Sequence, residues 1–504
     1  MLLAEAAEIA QATLVRGGET TIDRVVDDSR QAGPGTLFVA VPGHRLDGHD
    51  YAAAAAAAGA ALAVQRRVAV PDPVPLIQVA EPRRALALIA ARLAGDPSRR
   101  LLLAGVTGTD GKTTVTHLTA HLLRSAGVAT GFLSTVSEER GSGAASNASG
   151  LTTTAAPALQ QALSEMAGNG LRAAVVEASS HALDQDRLYG SAFDVAAYTN
   201  IGHDHLDYHR TWEAYVAAKA KLLDLCESPS KGIKKTAVLN RDDASYAPLR
   251  AHRALESTLA YSLVDGDSGV ALRASRLRAA AGGTAFHLQL GGRELSTRLG
   301  VPGRFNVANA LCAAGIALAM GVSPEAIAAG LATFPGVPGR LERVDRGQPF
   351  SVLVDYAHAP ESLASALQEV RAFTPGRVLC VFGCSDRSDG HDPGGMGRAA
   401  ALGSDWFCIT TDDPVDTDPA LLAASVAAGA RATGRGVWEI ELDRGRAIDR
   451  AIGLARPGDT VLLAGKGHEL FMMREGRRRD PWDERAAAEA ALGRRGWPTG
   501  TAPA

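Results

Sequence analysis

The chain has 504 residues, of which 46% are hydrophobic and 21% charged, and its formal net charge is −3. This length is too great for one hydrophobic core, so roughly three domains are expected. The small net charge argues against a field that attracts nucleic acid or an anionic membrane, and five scattered cysteines argue against a disulfide framework or a zinc site.

The N-terminal stretch has two glutamates by position 8 and no basic region, so it does not resemble a signal peptide. No apolar run is long enough to cross a membrane without interruption. We therefore expect a cytoplasmic protein without membrane insertion, and a monomer.

The first predicted block, residues 1–98, mixes short strands with an alanine-rich segment, 51–64, that predicts a helix running into a strand. A second block, 99–338, follows the linker AGDPSRR and begins with the apolar run LLLAGVT, glycines, and a helical pattern from Lys112 to about Ser125. Strand-like runs at 172–179, 193–200 and 236–240 continue it. This order predicts a parallel α/β domain.

The segment FPGVPGR, with two prolines and two glycines, marks a second break, after which a third block extends over 339–504. Four runs in it predict buried strands, at 350–357, 376–383, 404–411 and 459–465. The block is thus expected to be another open parallel sheet, with ligands at the carboxyl ends of its strands.

The strongest motif is GVTGTDGKTT, residues 105–114, placed between a predicted strand and a predicted helix. Gly108 and Gly111 let the backbone approach a phosphate, Lys112 reaches outer phosphates, and Thr113 or Thr114 can ligate Mg²⁺. The strict phosphate-loop pattern has glycine where Val106 stands, so a glycine-rich turn opening a helix is the competing interpretation.

Glu177, at the end of a predicted buried strand, suits a Mg²⁺ ligand but is equally consistent with a satisfied acid. Three histidines and two aspartates crowd into residues 203–209, and a zinc site there lacks a second ligand cluster. Lys219 and Lys221 follow on a predicted helix, where a solvated basic face is the simple interpretation for Lys221.

Eight motifs then occur in a fixed order along nearly the whole chain: TGTDGKTT, EASSHAL, HDHLDYH, AYVAAKAKLL, VPGRLERV, DYAHAPESL, GCSDRSDG and GKGHE. They resemble the Mur ligase family, ATP-dependent amide ligases of peptidoglycan synthesis and of cell-wall biogenesis. The resemblance is to the MurE type, which adds the third amino acid to UDP-N-acetylmuramoyl-L-alanyl-D-glutamate. It implies an α/β protein of three domains: a UDP-sugar-binding domain (1–98), a central ATP-binding P-loop domain (99–338) and a Rossmann-like amino-acid-binding domain (339–504).

The resemblance also implies residue roles. The catalytic residues are Lys112, Glu177, His205 and Lys219, and the Mg²⁺ ligands are Thr113, Glu177, His205 and Lys219 as a carbamate. The ATP-binding residues are Gly108, Thr109, Asp110, Gly111, Lys112, Thr113, Thr114, Asn306, Arg340 and Asp355. The residues that bind the UDP-N-acetylmuramoyl dipeptide are Ser29, His44, Arg45, Leu46, Thr153, Thr154, Ser179, Gln185 and Arg187. Asp110 departs from the asparagine usual in the family, which places an extra carboxylate near the triphosphate.

The acceptor amino acid is implied to bind at Arg387, Asp412, Asp413, Gly465 and Glu469. Forms that use meso-diaminopimelate typically read Asp-Asn-Pro-Arg, whose arginine binds the distal carboxylate, whereas residues 412–415 here read Asp-Asp-Pro-Val. Valine cannot bind a carboxylate and Asp413 would repel one, so we expect L-lysine or L-ornithine. Meso-diaminopimelate stays the alternative if Arg387 or Arg398 compensates. Asp416 and Asp418 are expected in a solvated turn.

Two other classes compete with this interpretation. A non-catalytic nucleotide-binding regulator on a decayed ligase fold is disfavoured by the presence of Lys112, Glu177, His205 and Lys219 together. A folate-type or cyanophycin-type ligase would be favoured if the N-terminal domain failed to bind UDP.

Overall fold

A computed structural model describes residues 1–43, 46–147, 149–227, 229–264, 270–280, 282–386 and 392–497. The chain divides into two compact units. The first comprises Met1–Arg273, Gln289–Arg293 and Leu311–Gly330, and the second comprises Ala274–Leu288, Glu294–Ala310 and Leu331–Ala504. Within the described part of the chain, no helix is long and apolar enough to cross a membrane.

The N-terminal part of the first unit is a five-stranded sheet in the order β1-β5-β4-β3-β2. Its strands are β1 (Thr13–Arg16), β2 (Arg24–Val26), β3 (Thr36–Val39), β4 (Ala61–Val64) and β5 (Leu76–Gln78). Its helices are α1 (Leu3–Ile9), α2 (Ala52–Ala57) and α3 (Pro82–Leu93). Neighbouring strands are parallel except β1 and β5. The helix and strand predicted within 51–64 are confirmed by α2 and β4.

The rest of the first unit is built on strands in the order β13-β12-β11-β6-β10-β7-β8-β9. These are β6 (Leu102–Thr107), β7 (Thr130–Leu133), β8 (Ser137–Glu139), β9 (Ala144–Ser146), β10 (Ala173–Glu177), β11 (Val195–Tyr198), β12 (Thr236–Asn240) and β13 (Ser257–Ser262). The helices are α4 (Lys112–Ser125), α5 (Ala156–Gly168), α6 (Ser180–Asp184), α7 (Leu206–His209), α8 (Trp212–Asp224) and α9 (Tyr246–His252). The strands from β13 to β7 pair in parallel, which confirms the predicted parallel α/β sheet.

Three long strands follow that the sequence reasoning did not predict: β14 (Leu272–Ala280), β15 (Gly283–Leu290) and β16 (Arg293–Leu299). Gly291 and Gly292 join β15 to β16 with φ angles of 57° and 77°. Two consecutive left-handed residues make a tight hairpin turn that glycine accommodates without strain. Helices α10 (Arg304–Ala319) and α11 (Pro324–Ala332) come next.

The second unit contains a six-stranded sheet in the order β17-β18-β22-β19-β20-β21 and a separate β23-β24 pair. The strands are β17 (Glu342–Arg343), β18 (Ser351–Asp355), β19 (Val378–Phe382), β20 (Trp406–Ile409), β21 (Val437–Ile440), β22 (Thr460–Ala464), β23 (Phe471–Arg474) and β24 (Arg478–Pro481). The helices are α12 (Pro360–Phe373), α13 (Pro393–Gly403), α14 (Pro419–Arg431), α15 (Arg444–Leu454) and α16 (Glu484–Arg494). The four predicted strands are confirmed by β18, β19, β20 and β22, which are buried because hydrophobic clusters pack on them.

Candidate active site

The glycine-rich loop between β6 and α4 is held in a fixed shape. Gly108 has a φ of 150°, and a Cβ there would lie 1.8 Å from Thr199 Oγ1, so no other residue fits. The Thr109 amide donates to the Asn200 carbonyl at 2.7 Å, and Lys112 Nζ donates to the Thr109 carbonyl at 2.7 Å. The loop and the start of α4 therefore present backbone N–H groups and a lysine as a phosphate site requires.

Asp110 occupies the exposed tip of this loop. Its backbone is tied to the next strand, since its amide donates to Asn200 Oδ1 at 3.1 Å and its carbonyl accepts from Thr199 Oγ1 at 2.5 Å. Because the residue is exposed, solvent screens its carboxylate, which reduces the repulsion expected next to a triphosphate.

Glu177 is buried at the end of β10, where it pairs in register with Val106 of β6, just ahead of the loop. Thr113 Oγ1 lies 3.1 Å from each of its carboxylate oxygens. The Thr135 amide donates to Glu177 at 2.9 Å and the Thr135 hydroxyl at 3.1 Å. Thr135 was missed because it lies in a loop without a recognisable motif. The hard oxygen donors of Thr113 and Glu177 fit Mg²⁺.

Lys219 on α8 is 1% exposed, and its Nζ donates to the Gly108 carbonyl at 2.7 Å. The ammonium also lies 4.4 Å from the centre of the Tyr215 ring. Burial, reinforced by the charge of Lys112, lowers the pKa of Lys219 well below its usual value. The neutral amine is the form that adds to carbon dioxide, and the carbamate that the resemblance implies on this lysine stays a prediction.

His205 caps the N-terminus of α7 with a φ of 53°, and its side chain is half exposed. Its Nε2 lies 3.4 Å from Asp204 Oδ2, and its ring meets His181 edge-on at 4.8 Å. Among the residues that the structure describes, no three His, Cys, Asp or Glu side chains are arranged to hold a metal. The zinc interpretation therefore gains no support, and the role of His205 toward Mg²⁺ stays a prediction.

Four of the residues predicted to bind the UDP-dipeptide form one network beside Glu177. Thr153 Oγ1 donates to the Glu177 carbonyl at 2.7 Å and accepts from the Ser179 amide at 3.0 Å. Arg187 donates to the Thr153 carbonyl at 2.8 Å and to Gln185 Oε1 at 2.7 Å. Burial lowers the pKa of Arg187, with a further contribution from Arg83. The network connects the predicted substrate site directly to the predicted metal site.

The other predicted substrate residues are less constrained. Thr154 is half-buried, Ser29 is half-buried in a short 3₁₀ helix, and Leu46 is 65% exposed. His44 and Arg45 lie outside the described residues. The N-terminal part of the unit contacts this region through Arg84, whose Nε lies 3.3 Å from Asp186 Oδ2.

Lys221 was expected on a solvated face, and its side chain is partly exposed but also ion-paired. Its Nζ lies 2.9 Å from Asp184 Oδ1, and Tyr208 donates to the other oxygen of the same carboxylate at 2.9 Å. The helical pattern alone could not place α6 against α8.

The remaining predicted ATP-binding residues belong to the second unit. Asn306 is buried, and its side-chain amide donates to the Pro302 carbonyl at 2.7 Å. Asp355, at the end of β18, accepts from the amides of Leu341 and Ala357 at 2.8 and 2.9 Å. Burial raises the pKa of Asp355, and the positive charge of Arg340 offsets part of this rise. The Arg340 guanidinium lies 4.8 Å from the centre of the Tyr356 ring.

The acidic stretch 410–419 separates into buried and exposed parts. Asp412 and Asp413 are 5% and 1% exposed, whereas Asp416 and Asp418 are exposed. Asp418 caps α14 by accepting from the Ala420 amide at 2.9 Å, so it belongs to a helix start as well as a turn. Val415 has a φ of 48°, an unusual conformation for a β-branched residue that is typical of functional loops.

A buried lysine lies among the predicted amino-acid-binding carboxylates. Lys466 Nζ is 2.7 Å from Asp413 Oδ1, 2.6 Å from Glu469 Oε2 and 3.7 Å from Asp412 Oδ1. Burial disfavours its charge, yet the three carboxylates raise the pKa of Lys466 above its usual value. Asp413 is thus paired with Lys466 inside the protein, whereas the expected repulsion of an acceptor carboxylate assumed an unpaired Asp413. The sequence reasoning used Gly465 and Glu469 of this motif and missed Lys466. Arg387 lies outside the described residues.

The strand ends that carry these residues are connected by Arg444. Its guanidinium donates to the carbonyls of Thr411 and Ala464, at 3.2 and 2.7 Å, directly before Asp412 and Gly465. It is paired with Glu484 at 2.7 Å, and both side chains are buried. This pair holds the ends of β20 and β22 in place, although β19 lies between the two strands.

Family models match most of the chain. The Mur ligase family, catalytic domain, matches residues 21–94, the Mur ligase middle domain matches 106–317, and the Mur ligase, glutamate ligase domain, matches 339–467. The UDP-N-acetylmuramyl-tripeptide synthetase of Roseiflexus sp. (strain RS-1) is 41% identical over 492 residues, covering 94% of this chain and 95% of that protein. The chain therefore belongs to the Mur ligase family, whose members are ATP-dependent ligases.

Within the family the chain is of the MurE type. The UDP-N-acetylmuramoyl-L-alanyl-D-glutamate–2,6-diaminopimelate ligase of Geobacillus thermodenitrificans is 39% identical, covering 95% of this chain and 96% of that protein. A solved structure of a ligase with that same name superimposes with a TM-score of 0.71 at 28% identity, covering 97% of this chain and 98% of that one. The recognition from motifs is confirmed, as are the α/β fold class and the assignment as a ligase of peptidoglycan synthesis.

Proposed function

We propose that this ligase joins a diamino acid to the D-glutamate side-chain carboxylate of UDP-N-acetylmuramoyl-L-alanyl-D-glutamate, with L-lysine or L-ornithine preferred. The γ-phosphate of ATP is transferred to the carboxylate, the amine attacks the resulting acyl phosphate, and phosphate leaves. Such a reaction depends on positioning and charge neutralisation. The observation that carries the reaction assignment is the continuous network from the phosphate loop through Thr113 and Glu177 to Thr153 and Arg187.

Mg²⁺ fits the oxygen donors gathered at this place, and Thr113, Glu177, His205 and a carbamate on Lys219 would hold it. When bound, the ion neutralises phosphate charge. The protein's own contribution is Lys112 at the loop and a buried Lys219 in an environment that lowers its pKa. Carbamylation would convert that ammonium into an anionic oxygen ligand.

The preference for an amine tail is supported by Val415, which stands where meso-diaminopimelate forms typically have arginine. Its side chain offers no donor to a distal carboxylate. A buried carboxylate without a partner costs several kcal/mol, and each 1.4 kcal/mol changes an affinity about tenfold. A relative named as a tripeptide synthetase and one named as a 2,6-diaminopimelate ligase are similarly identical to this chain, at 41% and 39%, so the preference rests on the residues of the site.

The three-domain division at 98 and 338, a monomeric state and a cytoplasmic location complete the proposal. A non-catalytic nucleotide-binding regulator is disfavoured because Lys112, Glu177, His205 and Lys219 are all present, and the buried Glu177 and Lys219 are unnecessary for binding a nucleotide alone.

The test is a competition. The enzyme is supplied with ATP, Mg²⁺, UDP-N-acetylmuramoyl-L-alanyl-D-glutamate and equal concentrations of L-lysine, L-ornithine and meso-diaminopimelate, and products are resolved by mass. We expect lysyl or ornithyl product to predominate. A predominance of the diaminopimelate product refutes the preference, and turnover of a folate in place of the UDP-dipeptide refutes the reaction.

A further inference from the structure

The carboxyl end of β18 brings together two segments with separate predicted tasks. One is the linker that carries the arginine predicted to bind ATP, where the Leu341 amide donates to Asp355 Oδ2 at 2.8 Å. The other is segment 465–469, whose Gly465 amide donates to the Asp355 carbonyl at 3.1 Å and which contains residues predicted to bind the acceptor. Tyr356 is the next residue in the chain, and its side chain contacts both segments.

Glycines let these parts approach each other closely. A Cβ on Gly467 would lie 2.7 Å from the Cβ of Tyr356. A Cβ on Gly339 of the linker would lie 2.2 Å from the His468 nitrogen. A larger residue at either position would force the backbones apart, so the linker, segment 465–469 and Tyr356 are packed in direct contact.

Tyr356 contacts the linker with its ring and segment 465–469 with its hydroxyl. The Arg340 guanidinium lies 4.8 Å from the ring centre, within the range of a cation–π interaction. Arg340 Nε is buried and has no hydrogen-bond partner within the described part of the chain, so the ring is a main support of this guanidinium. The Tyr356 hydroxyl donates to Glu469 Oε1 at 3.4 Å, a long hydrogen bond of the kind that often shortens when a substrate binds.

Glu469 is contacted at both of its carboxylate oxygens. Lys466 Nζ lies 2.6 Å from Oε2, and the Glu469 side chain is 13% exposed. The Tyr356 hydroxyl faces the other oxygen, Oε1, so the two contacts together set the plane of the carboxylate. Because each carboxylate oxygen accepts more than one hydrogen bond, a Glu469 oriented in this way retains the capacity to accept from the amine of an acceptor amino acid.

We infer that Tyr356 is a positioning residue for two substrates: its ring holds Arg340 for ATP, and its hydroxyl orients Glu469 for the amine. The tyrosine acts through these two side chains and does not touch the reacting atoms. Orienting them in advance reduces the conformational entropy that binding would otherwise cost. The inference rests on the proposed function, since it takes Arg340 and Glu469 as binding residues.

The test separates the two parts of the side chain in the full-length protein. Tyr356→Phe keeps the ring and removes the hydroxyl, so KM for the amine should rise about fivefold while KM for ATP stays within about twofold of the parent. Tyr356→Leu removes the ring as well, so KM for ATP should also rise about fivefold. The amine is whichever of L-lysine, L-ornithine and meso-diaminopimelate gives the parent its highest kcat/KM, so the comparison is independent of the proposed preference.

Tyr246→Phe is the matched control. Tyr246 also has an arginine 4.8 Å from its ring centre and a long hydrogen bond, 3.5 Å, at its hydroxyl. It lies outside both segments, so its variant should keep both KM values within about twofold of the parent.

Thermal melting shows which variants are folded. A Tyr356→Phe variant with both KM values unchanged, or with both raised equally, overturns the inference, as does a folded Tyr356→Leu variant with the parent's KM for ATP. If Tyr356→Leu does not fold, Tyr356→Phe alone decides, because it keeps the packing of the ring. A parent without amine-dependent phosphate release refutes the proposed function itself, and this result is seen before any variant is compared.

Discussion

Arg444→Met is predicted to weaken the second unit severely. The Arg444 side chain is 1% exposed and that of Glu484 is 0% exposed, so the variant leaves a buried carboxylate without its counterion. The Trp482 indole would still donate to Glu484 at 2.7 Å, but the charge would be uncompensated. Breaking a buried ion pair on one side costs about 3–5 kcal/mol.

This cost translates into a melting shift. For a region of 150–250 residues, each kcal/mol of lost unfolding free energy lowers the thermal unfolding midpoint by about 2–4 °C. Calorimetry should therefore show one unfolding transition lowered by about 6–20 °C. The hydrogen bonds to the Thr411 and Ala464 carbonyls are lost in the same step and are part of this total. Arg446→Met, on the same helix but with a side chain 76% exposed, is the control and should melt within about 2 °C of the parent.

The double variant Arg444→Met/Glu484→Met tests the cause. Replacing both members of a buried pair by apolar residues is often neutral or stabilising, so most of the lost stability should return. The hydrogen bonds from Arg444 to the Thr411 and Ala464 carbonyls are missing from both the single and the double variant. KM for the amine should therefore be raised in both variants, whereas KM for ATP should be unchanged. A single variant that melts like the parent, or a double variant no more stable than the single one, refutes the reasoning.

The remaining predictions concern the first unit. Lys219→Ala should lower kcat by at least about 10²–10³-fold, with partial recovery when formate or acetate is added. The control variant Lys221→Ala, on the same helix, should keep most of the activity. Equal losses in the two variants would contradict a ligand role for Lys219. Parent enzyme supplied with ¹³C-bicarbonate should show a carbamate carbon signal that is absent from Lys219→Ala. Thr135→Val should weaken Mn²⁺ binding, measured by electron paramagnetic resonance, by about 10–100-fold, and unchanged binding would remove Thr135 from the metal site. Asp110→Asn should change KM for ATP less than about threefold, because an exposed charge is screened; a large fall in KM would show that its carboxylate faces the triphosphate.

Much of this architecture follows from local patterns. The run LLLAGVT, the glycines and Lys112 predict β6, the loop and α4 with boundaries correct to within one residue. An apolar strand, residues that tolerate positive φ and a helical period can each be recognised from neighbouring residues. Strands β14–β16 could not be predicted from the sequence. In β14 only Leu272 and Ala274 are buried, and Arg276 and Arg278 are exposed, so this partly solvated strand lacks the continuous apolar run of a buried one.

The site was harder to predict, since its decisive contacts join distant segments. The hydrogen-bonded pairs are far apart in sequence: Thr135 and Glu177 by 42 residues, Lys466 and Asp413 by 53, and Arg444 and Glu484 by 40. No local signal marks such pairs. The resemblance supplied positions for individual residues, but which carboxylate is neutralised, and by which cation, depends on tertiary packing.

The central claim is tested most directly by steady-state kinetics of ATP-dependent phosphate release with UDP-N-acetylmuramoyl-L-alanyl-D-glutamate and each amine separately. The account predicts release that requires both the UDP-dipeptide and an amine, with kcat/KM for L-lysine or L-ornithine at least tenfold above that for meso-diaminopimelate. Release that is independent of the amine contradicts the ligase reaction, and a tenfold advantage for meso-diaminopimelate contradicts the preference inferred from Val415.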